Sequence, residues 1–61
     1  PSRRLQAALT LAEYEFSLSE IKQILDDESI DLYGAIARKL EELKRKEARL
    51  RALILFASSL T

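Results

Sequence analysis

Apolar residues recur along the chain at three- and four-residue spacing, the signature of helices with one buried face. Leu5, Ala8, Leu9, Ala12 and Phe16 predict a short amphipathic helix over about residues 3–14. Ser17 followed by Glu20 has the form of a capping box, and Phe16 and Ile21 stand at the two positions of a hydrophobic staple. A second helix therefore starts at Ser17. Leu18, Ile21, Ile24 and Leu25 are expected on its inner side, and Asp26-Asp27, acidic residues unsuited to a helix C-terminus, end it after about ten residues.

From about Leu32 the pattern turns helical again and persists to Leu60, with Ser29 or Asp31 as N-cap and Gly34 as the one poor helix former. Ile36, Leu40, Leu43, Leu50, Ile54 and Ala57 alternate at spacings of four and three. This is a two-in-seven seam of the coiled-coil kind, interrupted by Glu47, which stands either in the core, where it would fix register, or on the rim. Glu41 with Arg45, Glu42 with Lys46 and Glu47 with Arg51 are i,i+4 pairs with the acid N-terminal, the better orientation. About 29 helical residues span roughly 43 Å, whereas a compact 61-residue chain has a radius of gyration of about 10 to 11 Å. The fold class expected is all-α: a helical hairpin over 1–28, then one long helix over 29–61 that pairs with a second chain as a coiled coil. Ala52 to Ala57 is apolar on nearly every side, which predicts burial on two fronts, the partner's seam and a pair of short helices.

Composition narrows the chemistry. With no Cys and no His, disulfide frameworks and the usual zinc sites are excluded. No nucleophile lies beside a base, so no enzyme, catalytic residue or cofactor is expected. Asp26, Asp27, Glu28 and Asp31 lack the glycine and terminal glutamate of an EF-hand, and read as a solvated elbow. Apolar runs far shorter than about 20 residues exclude a membrane span, and without a signal-peptide layout the expected location is cytoplasmic. The net charge is zero, yet the charges are sorted: +2 over residues 1–12, −6 over 13–31 and +4 over 32–61. Lys44, Arg45, Lys46, Arg49 and Arg51 interleave with Glu41, Glu42 and Glu47, which favours a salt-bridged face over a phosphate-binding stripe.

Arg4-Leu5-Gln6, Leu9, Leu11 and the run Phe16-Ser17-Leu18-Ser19-Glu20-Ile21-Lys22-Gln23-Ile24-Leu25 resemble the segment that follows the winged helix-turn-helix in MerR-family transcription regulators. There an acidic linker and a long dimerisation helix follow. The resemblance is specific over residues 4–25 and departs twice: Tyr14-Glu15 replaces a Leu-Gly pair, and Ala12 stands where Arg is common. Without that glycine, either the turn differs or the first helix runs on.

The resemblance implies a homodimerisation and coupling module whose DNA reader is not among these residues, since Pro1 to Arg4 alone precede the match. The expected interface residues are Ile36, Leu40, Leu43, Glu47, Leu50, Leu53, Ile54 and Ala57. DNA would be reached through a preceding N-terminal domain, with Arg3 and Arg4 near phosphate at its junction. Metal sensing, which in this family uses Cys ligands, is not expected, and the sequence names no effector. Two rival readings are a freestanding helical interaction module, natural or designed, and a small protein that binds nucleic acid without sequence preference.

Overall fold

The computed structural model describes residues 2–60. Three helices follow one another: α1 (Arg3–Glu13), α2 (Leu18–Asp26) and α3 (Leu32–Ser59). The molecule extends over 50 × 22 × 16 Å with a radius of gyration of 15.7 Å, well beyond the roughly 10.5 Å of a compact chain of this length. Its long dimension is α3, whose 28 residues span about 42 Å. Among the described residues no helix is long and apolar enough to cross a membrane.

Side-chain oxygens cap each helix N-terminus. Ser2 accepts from the Leu5 N–H in α1, and Asp31 accepts from Tyr33 and Gly34 in α3, so the expected choice between Ser29 and Asp31 falls to Asp31. In α2 both arms of the capping box form: the Ser17 hydroxyl accepts from the Glu20 N–H at 3.1 Å, and Glu20 Oε1 accepts from the Ser17 N–H at 2.8 Å. Truncating Ser17 to Ala is expected to cost about 1 kcal/mol. The bond from the Ser17 N–H, above all, holds the Glu20 carboxyl below its ordinary pKa, and the Ser29 hydroxyl does the same for Asp27. Because both groups bind protons less tightly in the folded chain, their stabilisation is complete above the ordinary carboxylate range of about pH 4. It is lost as pH falls through and below that range. Circular dichroism should accordingly show helicity declining below about pH 4, less steeply in Glu20→Gln; an identical acid limb would contradict the box's share.

α1 and α2 form an antiparallel hairpin, the closest packing between helices here. Leu11 is fully buried and Ile21 nearly so, and they are the two buried residues among those described. The packing corrects two expectations. On α1 the inward line is Ala7, Ala8 and Leu11, while Leu5, Leu9 and Ala12 of the expected stripe are exposed. Ala8 lies beside Ile21 and Leu25 of α2. On α2, Leu18 is 85% exposed, because a side chain in the first turn leans back past the helix end, leaving Ile21, Ile24 and Leu25 inside.

The turn between them keeps the left-handed form without glycine. Glu15 has φ 65°, the Glu15 N–H donates to the Ala12 carbonyl at 3.0 Å, and the Phe16 N–H donates to Leu11 at 3.3 Å. These two bonds define a Schellman motif with Glu15 at the position glycine usually takes. An L-residue there costs on the order of 1 kcal/mol. Glu15→Gly is therefore expected to stabilise the chain by up to about 1 kcal/mol in urea unfolding, and a loss would contradict this account of the turn.

Candidate dimer interface and its flanks

The hairpin lies along the N-terminal half of α3. Leu32, Gly34, Ala35, Ile36, Lys39 and Leu43 are half-buried there, and every described residue from Lys44 onward is exposed. Two contacts from the α1–α2 turn tie it down. Lys39 Nζ stands 4.7 Å from the centre of the Phe16 ring, a cation–π geometry, and Lys46 Nζ lies 3.7 Å from Glu15 Oε1. Lys39, with a side chain 12% exposed, also reaches Glu42 at 2.9 Å. That hydrogen bond is the main reason its ammonium holds its proton above the ordinary lysine value.

These contacts redirect the expected ion pairs on α3. Glu42 pairs with Lys39, not Lys46, because Lys46 turns to Glu15, and Glu41 pairs with Lys44 at 3.4 Å, not Arg45. Glu47 and Arg51 pair as expected, at 3.6 Å. All are solvent-exposed on at least one side and individually worth little; together they set which cations on α3 are neutralised.

The expected interface residues fall into two groups. Ile36 and Leu43 are half-buried by the hairpin, and Leu40 sits at its edge. Glu47, Leu50, Leu53, Ile54 and Ala57 lie beyond it and face solvent, with Leu50 51% and Ile54 64% exposed. Leu43, Leu50 and Ile54 line an open apolar groove bordered by Glu15, Lys46, Glu47 and Arg51. Glu47 thus stands at the border, its carboxylate turned to Arg51. On the far side of the same helix end Leu55 and Phe56 are exposed too, so apolar surface surrounds residues 53–56, as the sequence pattern predicts.

At the opposite pole Arg4 has a structural role that sequence spacing does not reveal. Its guanidinium donates to Asp26 Oδ1 and to the Leu25 carbonyl at 3.3 Å, satisfying the end of α2 and offsetting an acidic residue at the negative pole of that helix. Among the described residues Arg3 forms no such contact. The elbow carboxylates are likewise engaged: Asp27 Oδ1 accepts from the Ser29 N–H and hydroxyl, and Asp31 caps α3. Among the described residues no group of three or more His, Cys, Asp or Glu side chains could hold a metal ion. No family model, curated protein or solved structure matches this chain.

Proposed function

We propose that the chain is a homodimerisation and coupling module of a MerR-like transcription regulator, in which paired α3 helices hold two DNA-binding halves at a set separation. One observation carries the reading. The apolar row Leu50, Leu53 and Ile54 continues the α3 seam beyond the reach of the chain's own hairpin and lies open. Scattered exposed leucines are ordinary; a contiguous helical stripe of them is a surface for another helix.

Pairing in the antiparallel sense satisfies both the apolar end and the charges. An antiparallel partner lays its apolar C-terminal end along the N-terminal half of α3, beside the hairpin, and so covers it on two fronts. A parallel partner leaves one front open and stacks Glu47 on Glu47. Taking Leu40, Glu47 and Ile54 as a positions, it also brings Lys39 toward Lys44 and Lys46 toward Arg51 of the second chain, pairs of like charge at the g and e positions. In an antiparallel register Glu47 faces a leucine and can turn aside to Arg51.

The coupling role is tested by fusing the whole chain behind a monomeric helix-turn-helix domain that reads one half-site. Half-site spacing mirrors dimer geometry, so the fusion should occupy paired half-sites at one preferred spacing far better than a single half-site, and Leu50→Asp should abolish that preference. Dimerisation with no dependence on spacing would favour the freestanding interaction module instead.

A further inference from the structure

We propose that α3 carries a second functional surface, an arginine stripe formed by Arg38, Arg45 and Arg49 that contacts the phosphate backbone of nucleic acid. At about 100° per residue, the three side chains fall within about 40° of one line and extend over roughly 16 Å of the helix. The Ile36–Ile54 seam runs along nearly the opposite side, so a dimer joined through the seam leaves a stripe outward on each chain.

Which cations are neutralised sets this stripe apart. Lys39, Lys44, Lys46 and Arg51 each hold a carboxylate. Arg38, Arg45 and Arg49 take part in no ion pair or hydrogen bond among the described residues. Two adjoining grooves are lined by Arg38, Lys39, Arg45, Lys46 and Arg49 together with Glu15, Glu20 and Glu42. All three of those carboxylates are already engaged: Glu15 with Lys46, Glu42 with Lys39 and Glu20 with the Ser17 N–H. Five bases against three committed acids leave a local positive charge on a chain whose net charge is zero.

The residue type and layout fit a phosphate backbone better than a protein. Guanidinium groups bind phosphate through a rigid donor fork, and a backbone offers charges at intervals without asking for apolar anchors. Protein partners usually bury aromatic or aliphatic anchors at the centre of a contact, and the middle of this stripe has none. Nothing in the stripe reads bases, so the contact is independent of sequence.

Fluorescence anisotropy of a labelled random-sequence duplex, titrated with the full chain at several salt concentrations, tests this. Neutralising three phosphates predicts log K falling against log salt with a slope of about −2.7. The triple variant Arg38→Gln/Arg45→Gln/Arg49→Gln should lose about tenfold or more in affinity at low salt, with its slope near zero. Triple Arg→Lys should keep most of the binding, and Lys44→Gln, which removes a neutralised cation on another face, should change it less than about twofold. Circular dichroism of each variant separates lost contact from lost helix, and the Arg→Lys variant answers for the stripe if the Gln variant unfolds. Equal binding by a folded triple Gln variant, no binding by the wild-type chain at low salt, or competition by polyglutamate as strong as by unlabelled duplex would each overturn the proposal.

Discussion

Leu50→Asp is expected to abolish self-association and, with it, most of the helicity of the C-terminal half of α3. Within a single chain the substitution has little to act on: Leu50 is half exposed and no other helix covers it. There an aspartate costs its helix propensity, below about 0.7 kcal/mol. In a helix–helix seam the same carboxylate is desolvated without a partner, at several kcal/mol against a total stability of about 5 kcal/mol. The two situations differ enough for one variant to separate them, with dilution-dependent circular dichroism as the readout. Leu43→Asp should be at least as damaging, since Leu43 borders both the hairpin and the open groove, but it does not separate the two contacts. Arg45→Ala, on the far face, should leave association unchanged. If Arg45→Ala were as harmful as Leu50→Asp, the seam would have been placed on the wrong face.

The second large effect lies in the hairpin. Among the described residues Leu11 is the one fully enclosed side chain, and its carbonyl accepts the N–H groups of Tyr14 and Phe16 that close the turn. Leu11→Ala should cost about 2 to 5 kcal/mol, enough to detach α1 and α2 from so small a core. Amide hydrogen exchange would then show protection lost across residues 3–26 and retained in α3 wherever a second chain still holds it. Leu9→Ala, on an exposed α1 position, should stay within about 0.5 kcal/mol. Equal effects from the two would contradict the observed facing of α1.

The helices themselves were legible from local chemistry. The Ser17–Glu20 box, the Asp31 cap and the seam spacing each depend on residues within one or two turns, and such signals survive without tertiary knowledge. Facing was less legible on α1, because two apolar lines compete there and the choice between them depends on where the other helices pack, which local spacing does not contain. The turn at Glu15 illustrates the same limit. Residue preference alone argued against a left-handed glutamate, yet two backbone bonds and the Lys46 contact hold it in place. Arg4 capping α2 from 21 residues away and Lys46 leaving Glu42 for Glu15 are long-range choices, invisible to i,i+4 spacing. The arginine stripe emerges only after those choices are known, since along α3 every cation except Arg49 has some acid one turn away, and spacing alone does not say which of them keep it.

The central claim is that a second copy of this chain completes the fold, and sedimentation equilibrium across the micromolar range tests it most directly. The account predicts a mass that rises with concentration from 7.0 kDa toward twice that value, with helicity rising in step. A mass fixed at 7.0 kDa throughout that range, with full helicity retained, would contradict it.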